Sequence, residues 1–191
     1  MKKRITALLL SACMCAGLAG CGTNTPGNNP GHTKTDSSVT SLTDNITVTS
    51  VKSDITSFDQ LKNGINEFSM NMYSALPADK NIFYSPYSIA SALSMLDVGA
   101  DGATKKELEN ALGITDLDKW NDEMKAYLSK DWSQNTFVNT ANSVWMNKGT
   151  SWSADIEKDF LTPAKDYYSG EVYEADFNGQ ADKVVQNINN W

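Results

Sequence analysis

The fold is decided by one stretch of the sequence, Asn81-Ile82-Phe83-Tyr84-Ser85-Pro86-Tyr87-Ser88-Ile89, and by the apolar run that follows it. The first four residues predict a short strand. Ser85 followed by Pro86 is typical of an N-cap and a first helical residue, so a helix is predicted over residues 86–98. Most faces of that helix carry small or apolar residues, which predicts a central position in a domain.

Helical spacing recurs on both sides of this central helix. Before it, Ser57 and Gln60 have the spacing of a capping box, and the apolar residues behind them recur at helical spacing until Pro77. After it, a short helix is predicted to stop at Gly113, because glycine is common just past a helix end. A further amphipathic helix is marked by Leu117, Trp120, Met124 and Leu128.

Two later segments have the composition of strands. Residues 136–147 are rich in β-branched and aromatic side chains, and residues 171–177 alternate between apolar and polar. Between them, Pro163 interrupts a helical pattern and is predicted to kink that helix or to split it at Thr162. A last helical pattern covers residues 181–191. We predict an α+β fold, and the strands without evident partners lead us to expect the first part of a larger fold.

The N-terminus has the layout of an export signal. Lys2, Lys3 and Arg4 precede an apolar segment, and Leu18-Ala19-Gly20-Cys21 resembles a bacterial lipobox, in which the signal is cut before a cysteine that carries lipid. We expect residues 1–20 to be a lipoprotein signal peptide and Cys21 to be the lipid attachment site. The protein would then be exported and lipid-anchored to a bacterial cell envelope, with its domain facing the extracellular side or the periplasm. A plain signal peptide with a chance cysteine is the alternative.

Residues 21–57 are predicted to be a Cys-anchored flexible linker. Small and polar residues dominate this segment, and it contains no Phe, Trp or Tyr, so it buries too little apolar surface to order itself. A coil of residues 22–57 would span roughly 30–36 Å. The alternation of residues 46–51 is the one hint of a strand here. The folded part is predicted to comprise residues 58–191.

Composition and motifs narrow the classes of function. The chain has 191 residues and a formal net charge of −7, which argues against nucleic-acid binding. All 3 Cys and the 1 His, His32, lie in the N-terminal segment, so residues 33–191 cannot build a Ser-His-Asp triad, a Cys-His pair or a Cys/His zinc site. Phosphate-loop, dinucleotide and zinc-protease motifs are absent from the sequence. We expect no enzymatic activity, no cofactor and no metal.

Several separate motifs, in order, resemble those of the serpin family. The stretch over residues 81–89 resembles the serpin signature at the start of the family's second helix. The strand segment Ala141-Asn142-Ser143-Val144-Trp145 resembles a serpin strand, and Ile188-Asn189-Asn190-Trp191 resembles part of a later serpin helix. The resemblance covers residues 58–191 and implies that they form the N-terminal portion of a serpin domain.

The resemblance implies protease inhibition. An intact serpin offers a reactive loop to a serine or cysteine endopeptidase, and the cleaved loop inserts into the main β-sheet. That loop lies near the C-terminus of serpins and is not among these residues, so we expect residues 58–191 alone to fold marginally and to inhibit no protease. We expect a monomer. The alternative is a non-inhibitory, surface-anchored binding module with the same fold, which charged or proline residues in the hinge before the loop would favour.

Ser85 and Ser88 are the candidate conformational residues. They match the shutter serines of the family, which lie beneath the sheet where its strands part. The resemblance implies that these two buried hydroxyls exchange hydrogen-bond partners between two states of the sheet. The residues taken by themselves indicate an N-cap and an ordinary buried serine.

Overall fold

The computed structural model describes residues 38–130, 140–151 and 155–191. The predicted signal peptide, Cys21 and the linker as far as residue 37 lie outside these ranges. Residues 136–139 of the first predicted strand lie outside them as well.

Helices dominate the described ranges, and a small mixed sheet lies among them. The helices are α1 Asp59–Ala75, α2 Pro86–Asp97, α3 Gly102–Leu112, α4 Leu117–Ser129, α5 Thr162–Tyr168 and α6 Ala181–Asn190. The strands are β1 Val39–Ser41, β2 Asn142–Asn147 and β3 Gly170–Ala175. A π-helical turn, Glu157–Leu161, leads directly into α5. The predicted α+β class is confirmed.

The three strands form one sheet in the order β1-β3-β2. Strand β1 runs antiparallel to β3, with Val39 opposite Ala175 and Ser41 opposite Tyr173. Strand β2 runs parallel to β3, with Asn142 opposite Gly170 at the start of the ladder. The parallel pair requires a crossover, and α5 belongs to the segment that connects the two strands.

Both faces of the sheet are covered. Alternate side chains of β3 point to opposite sides of the sheet, and each side packs against its own cluster. Val172 belongs to the main core, where it packs with buried residues from α1 to α5 such as Met95 and Trp120. Tyr173 belongs to a second cluster on the other face, together with Val184 of α6. The sheet therefore lies between five helices and α6.

The predicted start of α2, the predicted end of α3 and the predicted split before α5 are confirmed. The Ser85 Oγ accepts a hydrogen bond from the Ser88 N–H at 3.2 Å, with Pro86 in the first turn. Gly113 ends α3 in the left-handed region, with φ 68°. The split at Thr162 is present too: Pro163 has no N–H to donate, and the helix changes from π to α geometry at that point.

The predicted capping box at Ser57 and Gln60 is wrong. Helix α1 has Phe58 at its N-cap and no side-chain cap from that residue. The buried Glu123 carboxylate of α4 accepts instead from the Leu61 N–H at 2.8 Å. The Gln60 amide donates to the Gly113 carbonyl at 3.3 Å. A tertiary contact thus replaces the local cap, because it satisfies one of the N–H groups that a local cap would bind.

The predicted linker is wrong for residues 38–57, which belong to the folded unit. Val39 and Thr43 are buried, and the Leu42 N–H donates to the Val172 carbonyl at 2.8 Å. The strand lies at Val39–Ser41 and not at residues 46–51, where the alternation suggested one. This segment is ordered by its partners, since its own composition carries too few apolar residues for a core.

Residues 81–84 form no strand, in contrast to the sequence prediction. They have no ladder partner among the described strands. Phe83 is 102% exposed and Ile82 is 37% exposed. Met70 and Tyr73 of α1 are also exposed large side chains. These apolar side chains are therefore open to solvent in the described part of the chain.

Candidate functional site

Four serines recur at every third position of helix α2 and its cap: Ser85, Ser88, Ser91 and Ser94. Positions three apart lie on neighbouring turns of a helix, so the four hydroxyls form a row. The row passes from exposed residues at the start of α2 to fully buried ones in its second half. We call these four residues the serine row.

The two serines singled out from the sequence occupy the exposed end of the serine row. The Ser88 hydroxyl donates to the Ser85 Oγ at 2.9 Å, so the side chain that caps the helix also bonds Ser88. Both residues are exposed, which corrects the expectation that they are buried. The N-cap interpretation of Ser85 is confirmed, whereas the conformational role of the pair stays a prediction.

The hydroxyl that contacts the sheet is that of Ser91. The Asn142 side-chain amide, at the start of β2, donates to the Ser91 Oγ at 3.2 Å and to the Tyr168 carbonyl at 3.2 Å. Tyr168 is the last residue of α5, and Ser169 then turns the chain into β3 through a left-handed conformation with φ 51°. Asn142 thus ties α2, β2 and the end of α5 together at one point.

The last serine of the row is bonded inside the helical core. The Ser94 hydroxyl donates to the Ala90 carbonyl at 2.7 Å and accepts from the Trp120 indole N–H at 3.1 Å. The Tyr168 hydroxyl donates to the Asn121 side-chain oxygen. These bonds satisfy polar groups that would be costly to bury alone, and they fix α2 against α4 and α5.

Sequence reasoning missed Ser91, Ser94 and Asn142 as members of this site. The signal for the first two was available in the three-residue spacing of the serines. Asn142 was part of a strand motif, but nothing in its sequence position indicates which helix its amide contacts. The site is therefore a junction between one helix and the first residues of two parallel strands.

The tyrosines of the site are neutral hydrogen-bonding groups. Burial raises the pKa of Tyr87 to about 12, and the neighbouring Tyr127 adds to the effect. Burial also raises the pKa of Tyr168. At physiological pH both phenols keep their protons. The junction is therefore held by neutral hydroxyl and amide groups.

Among residues 38–130, 140–151 and 155–191, no cluster of three or more His, Cys, Asp or Glu side chains could hold a metal ion. In the same ranges, none of the helices combines the length and the apolar character that crossing a membrane requires.

Asp97 is a fully buried carboxylate at the end of α2. Neither of its oxygens has a hydrogen-bond partner in the described part of the chain, and the Lys105 ammonium is 3.8 Å from one of them. Burial raises the pKa of Asp97, and Glu109 raises it further, while Lys105 lowers it. The charged form is therefore disfavoured in the folded chain.

Asp97→Asn is expected to make the chain more stable at pH 7, by about 1 kcal/mol, because it removes a buried charge without hydrogen bonds. A carboxyl group whose pKa rises on folding contributes stability below its ordinary pKa of 3.8 and loses that contribution as pH rises through the folded value. Urea unfolding followed from pH 3.5 to pH 7 should show the advantage of Asp97→Asn growing with pH. The exposed Asp79→Asn is the control, and an advantage independent of pH would contradict the prediction.

The family comparison matches most of the chain. The family described as serpin (serine protease inhibitor) matches residues 63–191. The match begins within α1 and includes the serine row, all of β2 and β3, and α6.

Individual relatives and structures agree with the family match. A serpin-like protein of Thermococcus kodakarensis is 32% identical over 149 residues, which cover 71% of this chain and 34% of that protein. Mouse neuroserpin, from Mus musculus, is 35% identical over 137 residues, which cover 66% of this chain and 32% of neuroserpin. A solved loop C-sheet serpin polymer has a TM-score of 0.62 at 26% identity, covering 75% of this chain and 38% of that one.

The chain spans about a third of the length of the curated relatives that it matches, 34% and 32% for these two. The described helices and the small mixed sheet therefore correspond to an incomplete part of the serpin fold.

Proposed function

Because the chain belongs to the serpin family, we propose that its residues work in a suicide-type inhibitor of serine or cysteine endopeptidases. The observation that carries this proposal is the family match over residues 63–191, which spans every motif of the sequence that resembles a serpin. In such an inhibitor, a cleaved reactive loop adds a strand to the main sheet. This chain would contribute the helix and the strands next to the place where the main sheet opens.

The geometry of the junction supports this role for α2. Asn142 bonds both Ser91 on α2 and the Tyr168 carbonyl, so any sliding of β2 over α2 must break or exchange these bonds. Each of these bonds joins neutral groups, and such hydrogen bonds contribute only about 0.5–1.5 kcal/mol each. Ser85 and Ser88 bond each other at an exposed helix start and are free to accept new partners there. We propose that the serine row guides β2 between two positions.

The test is a chimera in which residues 58–191 replace the matching part of a serpin of known inhibitory activity. Mixed with the protease that this serpin inhibits, the chimera should form a covalent complex that survives SDS. The control is the same chimera with proline in the hinge before the reactive loop, which should be cleaved without forming the complex. A correctly folded chimera that is only cleaved would contradict the inhibitory role.

A non-inhibitory binding module with a serpin fold is the second candidate function. The exposed apolar side chains Phe83, Met70 and Tyr73 favour it, because apolar patches often contact partners. The chimera experiment separates the two functions, since a binding module needs no strand insertion.

We also propose that the protein is a bacterial lipoprotein anchored through Cys21. The support is the basic and apolar leader that ends in Leu18-Ala19-Gly20-Cys21. Since β1 begins at Val39, the stretch between Cys21 and the start of the folded unit is shorter than the sequence suggested. A coil of residues 22–37 would span roughly 20–24 Å. The domain would therefore lie close to the membrane surface.

Cys21→Ala is expected to move most of the protein from the membrane fraction to the soluble fraction, because it removes the sulfur that would carry the lipid. Two or more acyl chains anchor a protein stably, so the native chain should stay with the membrane. Cell fractionation and immunoblotting measure the change. Cys15→Ala is the matched control and should leave the protein on the membrane, because that cysteine would depart with the signal peptide. Membrane retention of Cys21→Ala would refute the anchor.

A further inference from the structure

Two sets of hydrogen bonds hold residues 38–57 on the rest of the folded unit, and we call this segment the clasp. The first attachment is the pairing of β1 with the outer edge of β3. The Asp176 N–H donates to the Ser38 carbonyl at 3.0 Å, and the Leu42 N–H donates to the Val172 carbonyl at 2.8 Å. Beyond the strand, the Thr43 hydroxyl accepts from the Val172 N–H at 3.2 Å. The clasp therefore occupies the N–H and C=O groups along this edge of the sheet.

The second attachment is a buried ion pair that Thr49 completes. The Thr49 N–H and hydroxyl donate to the two oxygens of Asp166 at 2.6 Å and 2.8 Å. The Lys125 ammonium, 2.8 Å from Asp166, also donates to the Thr49 hydroxyl. The side chains of Lys125 and Asp166 are only 6% and 11% exposed. Burial raises the pKa of Asp166, but Lys125 and Thr49 outweigh it and hold the pKa below its ordinary value.

Between the two attachments, Ile46 packs against the main core, and the other side chains make few contacts. Asn45, Thr47 and Val48 are exposed, and Ile46 is partly buried. After Thr49, Lys52 forms an ion pair with Asp122 at 2.6 Å, in which Lys52 is 60% exposed. Exposed pairs of this kind stabilise a fold little. The polar contacts of the clasp are thus concentrated in a short strand at one end and in Thr49 at the other, with Ile46 packed on the core between them.

The clasp covers the outer edge of β3, which could otherwise pair with another strand. Strand β3 places Val172, Tyr173 and Ala175 in the two cores and would otherwise present unpaired backbone groups along its outer side. Open edges of this kind template pairing with another chain. The segment known to fit this edge is β1 itself, so a second copy of the chain carries a matching strand.

We propose that the clasp is a releasable lock: Thr49 on the Lys125–Asp166 pair holds β1 on β3, and release of Thr49 frees that edge for β1 of a second copy. Residues 42–58 connect β1 to α1 and can extend to roughly 55–60 Å, far enough to reach a neighbouring molecule. Exchange of an identical element between copies costs little, because the same contacts form in both arrangements.

The test compares Thr49→Val with Thr47→Val in the full chain by site-resolved amide hydrogen exchange. Thr49→Val removes one hydroxyl and keeps the size of the side chain, whereas Thr47 is exposed and makes no side-chain hydrogen bond in the described residues. We expect Thr49→Val to raise exchange about tenfold at the Leu42 and Asp176 amides. The Lys148 amide bonds the Ala175 carbonyl on the β2 side of β3 at 2.8 Å and should not change. Thr47→Val should leave the exchange rates of all three amides within twofold of those in the native chain.

Two results would overturn the lock. Faster exchange near residue 49 alone would mean that Thr49 and β1 open independently. An equal rise at Lys148 would mean that the variant weakens the whole fold. Asp166→Asn removes the charge that Thr49 binds. It should give the same pattern of amide exchange as Thr49→Val, which would confirm the lock through a different side chain.

Measuring self-association tests the second half of the proposal, the exchange of β1 between two copies. At rising protein concentration, Thr49→Val should form more dimer than Thr47→Val in size-exclusion chromatography with light scattering. In that dimer, the Asp176 amide should regain its protection. A clasp that opens while the chain stays monomeric at every concentration would refute exchange with a second copy.

Discussion

Replacing Trp120 with alanine is expected to leave the chain without stable tertiary structure. The indole is fully buried at the centre of the main core, where it packs beneath α1 and α2, and its N–H donates to Ser94 at 3.1 Å. Truncation of a buried tryptophan costs about 3–5 kcal/mol, and even whole domains are stable by only about 5–15 kcal/mol. Near-ultraviolet circular dichroism and the soluble yield should both collapse in Trp120→Ala.

The matched control is Trp191→Ala, at the end of the chain. Trp191 is 42% exposed, and its N–H donates to Glu171 at 2.7 Å, so its removal leaves no large cavity. We expect this variant to keep its near-ultraviolet signal apart from the contribution of the missing indole. If Trp120→Ala melted like the native chain, the core described above would be the wrong one.

Gly64→Ala is expected to destabilise the chain by about 1–2 kcal/mol, although alanine is the better helix former. A Cβ atom at Gly64 would lie 2.5 Å from the Leu112 carbonyl oxygen and 2.6 Å from the Trp120 ring. Overpacking of this kind costs about 1–3 kcal/mol, which exceeds the helix-propensity gain of up to about 1 kcal/mol. The midpoint of urea unfolding, followed by far-ultraviolet circular dichroism, should fall.

Asn63→Ala separates the close contact from helix propensity. Asn63 precedes Gly64 on the same helix and is exposed, so alanine there gains propensity without meeting a neighbour. We expect its midpoint to equal or slightly exceed that of the native chain. A Gly64→Ala midpoint as high as that of Asn63→Ala would show that α1 can move away from the end of α3 at no cost.

Local signals predicted most helix positions correctly because each depends on neighbouring residues alone. Ser85 followed by Pro86, the left-handed Gly113 and the missing N–H of Pro163 all act within one or two turns of the chain. The apolar character of α2 likewise predicted its central position, and Ala90 and Met95 are buried. The order of the motifs was enough to indicate the serpin family, which the match over residues 63–191 confirmed.

The candidate site was predicted only in part, because a row of hydroxyls does not reveal which of them meets the sheet. The sequence indicated Ser85 and Ser88, which lie at the exposed start of α2. The packing of β2 brings Asn142 to Ser91 instead. Residues 51 positions apart share no local pattern, so only the assembled fold could identify this pair.

The sequence by itself determined the approximate positions of most helices, the α+β class and the family, since these follow from short-range backbone chemistry and apolar spacing. Only the tertiary structure decided the conformation of residues 38–57 and the cap of α1. A segment too polar to order itself is ordered by the unpaired edge of β3 and by the Lys125–Asp166 pair. The first turn of α1 is satisfied by Glu123, which lies 62 residues from Leu61. In both cases the free energy comes from groups distant in sequence, and only the folded chain brings them together.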